Sequence, residues 1–133
     1  MITLTAENVE AALREVVAET GEDYKFSDEF EMLNYCYYVA DSRTNTIAVR
    51  SMPNEFLKPA CLVGRVLHKL GIPLNVMLFD NLLPAIGLLS GLIQKGWLES
   101  DNSIAFRMLE RAQITQDRNG TFGEALKEAL CEV

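Results

Sequence analysis

The stretch from residue 82 to residue 93 reads LLPAIGLLSGLI and is the longest clean apolar run in the chain. Its 12 residues are too few to cross a bilayer, which takes about 20. The run therefore predicts a buried core helix over residues 81–95, capped by Asp80 and ended by Gly96. Because the leucines and isoleucines fall on all sides of such a helix, the rest of the chain must cover every side.

Helix start signals and apolar stripes predict four more helices around this core helix. Thr5 is expected to cap the first of them, and Pro59 is expected to lie in the first turn of the second. Thr121 and Glu124 form a T-x-x-E capping box at the start of the last. These helices are expected over residues 6–19, 59–70, 102–117 and from 121 onward.

Aromatic and β-branched runs at residues 35–40 and 46–50 flank a polar five-residue loop and predict a β-hairpin. An isolated hairpin is marginally stable in water, so this one is expected to pack on the helices. The predicted fold class is mainly α, with about five helices and one short β-hairpin. A length of 133 residues fits a single compact domain spanning 1–133.

Composition bounds the class and the compartment of the protein. With 49% hydrophobic and 23% charged residues, the chain has the balance of an ordinary globular protein and not of a disordered one. Three widely spaced cysteines, Cys36, Cys61 and Cys131, do not form a disulfide framework, which favours a reducing cytoplasm. The residues after Met1 lack the features of a signal peptide, and no membrane contact is expected.

The formal net charge of −7 is concentrated at one end of the chain. Residues 1–35 hold nine carboxylates and two bases, and the remainder is neutral. This balance argues against direct nucleic-acid binding, which relies on basic residues. An acidic segment steers association with a basic protein, and its predicted contact residues are Glu22, Asp23, Asp28 and Glu29. The alternative interpretation is a solvated helix face and a solubilising loop.

Gly87 and Gly91 form a G-x-x-x-G pattern on the predicted core helix. Two glycines four residues apart allow a second helix to approach closely. That helix could belong to the same chain, or to a second copy in a homodimer formed through residues 81–95.

Sequence patterns that carry chemistry are missing, so neither catalytic residues nor a cofactor or metal is expected. The sequence has no phosphate-binding glycine loop, no G-x-S-x-G elbow and no H-E-x-x-H pair. Cys61 and His68 are seven residues apart on one predicted helix, about 10.5 Å along its axis, which is too far for a nucleophile and its base. Cys61 is thus expected to be a buried structural residue.

Two stretches resemble segments of a group of small uncharacterised proteins from actinobacteria and their bacteriophages. They are CLVGRVLHKLG at residues 61–71 and AQITQDRNGTFGEA at residues 112–125. The resemblance covers the C-terminal half and implies a small cytoplasmic accessory protein, encoded by a phage and directed at a host protein. It implies no activity, ligand or site residue.

The functional expectation is a non-enzymatic protein that acts by protein–protein interaction. The acidic segment or the apolar core helix would provide the contact. A first alternative is a small-ligand binder that uses Tyr35, Tyr37 and Tyr38 as a pocket wall. A second alternative is a cysteine-dependent enzyme built around Cys61.

Overall fold

The computed structural model describes residues 1–31, 37–99 and 103–131, and these residues contain six α-helices and a three-stranded sheet. The helices are α1 (Ala6–Thr20), α2 (Leu62–Lys69), α3 (Leu74–Met77), α4 (Ala85–Gln94), α5 (Ser103–Asp117) and α6 (Phe122–Leu130). The strands are β1 (Val39–Asp41), β2 (Thr46–Ile47) and β3 (Leu57–Pro59). The predicted fold class, mainly α with a short hairpin, is confirmed.

Helix α5 lies at the centre and packs against α1, α2, α4 and, most extensively, α6. Its buried apolar side chains, Ala105, Met108, Leu109 and Ala112, follow the predicted stripe. Ile104 was expected in that stripe but is 40% exposed. The reason is its angular position, because Ile104 lies about 100° around the helix from Ala105 and so falls at the edge of the buried stripe.

Two of the predicted helix starts are confirmed down to their capping hydrogen bonds. The Thr5 hydroxyl accepts from the Asn8 N–H at 3.0 Å, and the Asn8 side chain accepts from the Thr5 N–H at 2.9 Å. Thr121 and Glu124 form the same reciprocal pair at the start of α6, with both distances 3.0 Å. These bonds satisfy N–H groups that a helix leaves unpaired at its first turn.

The predicted hairpin is present, but it belongs to a sheet with the order β2-β1-β3. Both pairs of neighbouring strands are antiparallel. The prediction that Pro59 opens a helix is wrong, because Pro59 ends β3 and α2 begins three residues later with Cys61 as its cap. Strand β3 lies at the edge of the sheet, where a residue without an N–H is tolerated.

Helix α4 begins at Ala85, four residues later than the sequence predicts. Asp80 does not cap it but belongs to a 3₁₀ turn, Leu78–Asp80, that follows α3. Its carboxylate instead pairs with Lys95 at 3.2 Å. Pro84 takes the cap position with an extended backbone. Because the residue before a proline is disfavoured in helical conformation, Leu83 is excluded from α4 and the helix begins after Pro84.

The side chain of Asn81 joins the loop before α4 to the sheet. Its oxygen accepts from the Tyr38 N–H at 2.8 Å and the Val39 N–H at 2.9 Å, and its Nδ2 donates to the Val39 carbonyl at 2.9 Å. This buried amide therefore fixes the position of residues 78–85 relative to β1.

Two buried glutamines of α5 cap the starts of other helices. The Gln113 oxygen accepts from the Ala85 N–H at the start of α4, and its Nε2 donates to the Tyr38 hydroxyl at 2.9 Å. The Gln116 oxygen accepts from the Leu62 N–H at the start of α2 at 2.7 Å. Pro84 has no side-chain oxygen, so Gln113 performs the capping role that the sequence assigned to Asp80.

Candidate interaction surfaces

The acidic segment is attached to the start of α6 through its backbone. The Phe122 N–H donates to the Tyr24 carbonyl at 2.8 Å, and the Gly123 N–H donates to the Glu22 carbonyl at 2.9 Å. Gly123 is needed for this approach, because a Cβ there would lie 2.8 Å from the Glu22 oxygen. These two backbone hydrogen bonds therefore fix the position of residues 22–24 beside the start of α6 without using the Glu22 carboxylate.

Glu29, one of the predicted contact residues, is held in an internal cluster of polar and aromatic side chains. Its carboxylate lies 2.8 Å from Lys58 Nζ and 3.4 Å from Arg65 Nη2, and it accepts from the Tyr24 hydroxyl at 2.6 Å. Burial raises the pKa of Glu29, but the hydrogen bonds from Lys58 and Tyr24 and the nearby positive charges outweigh it and lower that pKa below its usual range. Burial, followed by the hydrogen bond to Glu29, raises the pKa of Tyr24, and the nearby charge of Arg65 only partly opposes that rise.

Other acidic side chains of the N-terminal region are also paired within the chain. The Asp28 carboxylate accepts from the Lys25 N–H at 2.8 Å and closes a 3₁₀ turn. Glu15 and Glu19 on α1 both pair with Lys69, at 3.2 and 2.9 Å. Cations from later in the chain therefore neutralise much of the charge that the sequence concentrates in residues 1–35.

Glu22 and Asp23 are the two predicted contact residues whose carboxylates have no hydrogen-bond or ion-pair partner among the described residues. Together with Glu124 they border a groove of about 440 Å³ beside α6. Leu126 and Leu130 provide its apolar lining. This acidic groove is what the structure retains of the predicted acidic surface.

A second surface exposes large apolar side chains side by side. Here it is called the Phe79 face, and its members with their exposed fractions are Val49 (56%), Phe79 (56%), Leu82 (46%) and Leu83 (42%). All four line one groove of about 470 Å³ between the end of the hairpin and the loop before α4. Ile86, in the first turn of α4, follows them in the chain and is 53% exposed.

Two cations stand beside the aromatic ring of this face. The Arg50 guanidinium carbon lies 5.7 Å from the centre of the Phe79 ring, and Nη2 of Arg50 donates to the Phe79 carbonyl at 3.1 Å. Lys95 Nζ lies 5.1 Å from the same ring centre. Both distances fall within the range of cation–π attraction, so the ring is held with one part open to solvent.

Gly87 and Gly91 pack within the chain, which is one of the two arrangements that their spacing allows. A Cβ at Gly91 would lie 2.8 Å from the Asp80 carboxylate, and a Cβ at Gly87 would lie 3.3 Å from the Leu83 Cβ. Helix α4 is also not apolar on every side, because Ser90 and Gln94 are exposed on its outer surface. The apolar surface that α4 leaves open is therefore at its start, around Ile86.

The tyrosines of the small-ligand alternative lie in the core. Tyr37 and Tyr38 are buried, and Tyr35 lies outside the described residues. The Tyr38 hydroxyl donates to the Leu83 carbonyl at 2.5 Å and accepts from Gln113. Burial, followed by the charge of Glu31, raises the pKa of Tyr37 to about 12. Neither Tyr37 nor Tyr38 lines the acidic groove or the groove of the Phe79 face.

Cys61 is fully buried, as the sequence predicts. Its sulfur accepts from the Gly64 N–H at 3.4 Å at the start of α2. His68, at the other end of the helix, lies with Nδ1 3.3 Å from the Ile72 carbonyl oxygen. In the part of the chain that the structure describes, the thiol has no exposed surface and makes no hydrogen bond with the imidazole.

The described residues contain no group of three histidine, cysteine or carboxylate side chains placed to hold a metal ion. In the same residues no single helix is long and apolar enough to cross a membrane. The segments Leu74–Asp80 and Ala85–Gln94 reach that length and composition only together, across a bend of 119°. Comparison with protein-family models, curated proteins and solved structures found no match for the chain.

The Phe79 face is the surface that the sequence did not predict. Phe79 falls between two predicted helices, and Leu82 and Leu83 were expected to lie inside the core helix. The sequence held one signal of this face, because residues 78–86 contain more apolar side chains than one short helix can bury. Their exposure depends on the start of α4 at Ala85, which leaves the two leucines in a loop.

Proposed function

We propose that this chain is a non-enzymatic accessory protein that acts by binding another protein, with the Phe79 face as its contact surface. The observation that carries the proposal is the grouping of Val49, Phe79, Leu82 and Leu83, all exposed and all lining one groove. Single exposed apolar residues are ordinary, whereas a contiguous apolar group marks an interaction site.

The anchoring of this face to the sheet, and the types of residue in it, also support the proposal. Asn81 lies between Phe79 and Leu82 and is bonded to the buried strand β1, so the apolar side chains project from an anchored loop. A surface that is already ordered loses little conformational entropy when a partner binds. Phenylalanine and arginine, here Phe79 and Arg50, are among the residue types enriched in protein–protein interfaces.

The acidic groove is a second candidate contact, for a basic partner. Glu22 and Asp23 provide unpaired carboxylates there, and Leu126 and Leu130 provide an apolar lining. These two carboxylates are part of the N-terminal charge that no cation among the described residues pairs with.

The proposed setting is the cytoplasm, supported by the free thiols of Cys61 and Cys131. The resemblance of residues 61–71 and 112–125 to actinobacterial and bacteriophage proteins suggests a host protein as the partner. A second copy of this chain is the alternative occupant of the Phe79 face.

The proposal is tested by capture of partners from an actinobacterial cytoplasmic extract, with bound proteins identified by mass. Wild type is compared with Phe79→Ser/Leu82→Ser and with the matched control Ile104→Ser/Ile114→Ser, which removes two exposed isoleucines outside the face. We expect one protein to be retained by wild type and by the control and lost from the face variant. Equal retention by all three would refute the Phe79 face as the contact.

A further inference from the structure

We infer that the Phe79 face receives a segment of another protein that carries carboxylates beside apolar anchor residues. This inference rests on the proposed function and adds the chemistry of the partner. It follows from the positive charges beside the groove and from the hydrogen-bond donors of Arg50 that have no acceptor among the described residues.

The accessible charge around the groove is positive. Its lining includes one cation, Arg50, and one carboxylate, Asp80. The Asp80 side chain is only 17% exposed, lies against Gly91 and pairs with Lys95 at 3.2 Å. An approaching chain therefore meets the guanidinium of Arg50 and the ammonium of Lys95 before it meets Asp80.

Most of the hydrogen-bond donors of Arg50 have no acceptor among the described residues. A guanidinium has five N–H donors in a planar fork that suits a carboxylate. Among the described residues the side chain of Arg50 makes one hydrogen bond, to the Phe79 carbonyl, and has no carboxylate partner. A carboxylate of the partner can thus bind this fork while its apolar neighbours fill the groove beside Phe79 and Leu82.

The charge of the whole chain makes this face selective. With a net charge of −7, the protein repels an acidic segment over much of its surface. The border of Arg50 and Lys95 gives such a segment one favourable orientation, and complementary charge of this kind fixes register.

The same charges argue against a second copy as the occupant. A two-fold contact presents the same surface from both copies. Arg50 and Lys95 of one copy would then approach the Arg50 and Lys95 of the other, and like charges repel. The net charge of −7 on each copy adds to that repulsion.

The test selects binders from a random peptide library displayed against the immobilised wild-type chain. Peptides that also bind Phe79→Ser/Leu82→Ser are discarded, so that those depending on the face remain. The selected peptides should combine apolar residues with more aspartate and glutamate than lysine and arginine. Resynthesised, they should bind Arg50→Glu about tenfold or more weakly than wild type. Arg118→Glu, an exposed arginine outside the groove, makes the same change in net charge and should bind them nearly as well as wild type.

The outcomes separate this inference from the proposed function. Selected peptides that are neutral or basic, or that bind Arg50→Glu as well as wild type, would overturn the inference and leave the proposed function standing. Selection of no face-dependent peptide would overturn both. A wild-type dimer in sedimentation that Phe79→Ser/Leu82→Ser converts to a monomer would identify a second copy as the occupant and overturn the inference. Circular dichroism of each variant checks that it folds, as the changed side chains are exposed.

Discussion

At the scale of single residues, Gly64 shows how one position governs the packing of two elements. It lies on α2 where that helix passes over the chain leading into β1, and a Cβ there would be 2.5 Å from the Tyr38 carbonyl oxygen. That distance is shorter than real Cβ contacts, and the opposing atom belongs to the backbone, so it cannot rotate away. A glycine inside a predicted helix normally weakens it, and only the structure shows what this one permits.

We expect Gly64→Ala to lower the free energy of unfolding by about 1–3 kcal/mol, because α2 must move away from Tyr38. Gly87→Ala on α4 is the matched control. Its Cβ would lie 3.3 Å from the Leu83 Cβ, and Leu83, in the exposed loop before α4, need move by only a few tenths of an ångström. The gain in helix propensity should make that variant neutral or more stable by up to about 1 kcal/mol. Urea denaturation of both measures the difference, and equal losses would contradict this account.

Glu29 should make the stability of the fold depend on acid. Burial alone would raise its pKa, but hydrogen bonds from Lys58 and Tyr24 hold the pKa of Glu29 below its usual value. A carboxyl whose pKa is lowered by folding stabilises the fold above its unfolded pKa of about 4.3, and that stabilisation is lost as the pH falls through the folded pKa. Because the side chain is about a third exposed, the effect is modest.

The measurement is urea denaturation of wild type, Glu29→Gln and Lys58→Met between about pH 7 and about pH 3. Wild type should exceed both variants in stability near neutral pH, and the differences should shrink in acid. A difference between wild type and Glu29→Gln that stays constant over this range would mean that the carboxylate contributes nothing through its charge.

At the scale of elements, the length of a helix or strand and the clarity of its apolar pattern decide whether the sequence predicts it. Helices α1, α5 and α6 have long stripes or clear caps, and the predicted ranges match them closely. Helix α3 and strand β3 have four and three residues, which is too short for a period to be visible. Pro59 gave a wrong start for α2 because it ends an edge strand, and Asp80 gave a wrong start for α4 because the distant Gln113 accepts from the Ala85 N–H instead.

The capping box of α6 can be tested on its own. Thr121→Ala should lower the free energy of unfolding by about 1 kcal/mol, because the Glu124 N–H loses its acceptor. Thr121→Ser keeps the hydroxyl and should retain nearly all of the stability. Chemical denaturation of the two variants against wild type measures this. Equal stability of Thr121→Ala and wild type would mean that the backbone hydrogen bonds to the Tyr24 and Glu22 carbonyls hold the start of α6 without the capping box.

At the scale of the whole molecule, tertiary structure redistributes the charge that the sequence concentrates at one end. Lys58, Arg65 and Lys69 come from 29 to 54 residues away to pair with Glu29, Glu15 and Glu19. No local pattern announces such pairs, so the acidic contact could be predicted as a region but not divided into structural and free carboxylates. The sequence could indicate the Phe79 face only as an excess of apolar residues in 78–86, since its groove joins the end of the hairpin to the loop before α4.

The distinction between structural and free carboxylates makes a prediction that can be tested without a binding partner. Glu22→Lys/Asp23→Lys and Asp28→Lys/Glu29→Lys each replace two acids by two bases, and each changes the formal net charge from −7 to −3. A loss of general repulsion therefore affects both variants alike. The local consequences differ, because the first pair has no internal partner among the described residues, whereas the second pair closes a turn at Lys25 and binds Lys58 and Arg65.

We expect Glu22→Lys/Asp23→Lys to unfold at the same urea concentration as wild type or a higher one. Asp28→Lys/Glu29→Lys should lose about 1–2 kcal/mol, since its new lysines face existing cations and the hydrogen bonds of two carboxylates are gone. If the acidic groove also steers a basic partner, the first variant alone should slow association without loss of stability. That rate should fall with salt, as the screening length shrinks from about 10 Å at 0.1 M to about 3 Å at 1 M. Equal stability of the two variants would contradict the division, because the four acids would then be interchangeable charges on one solvated surface.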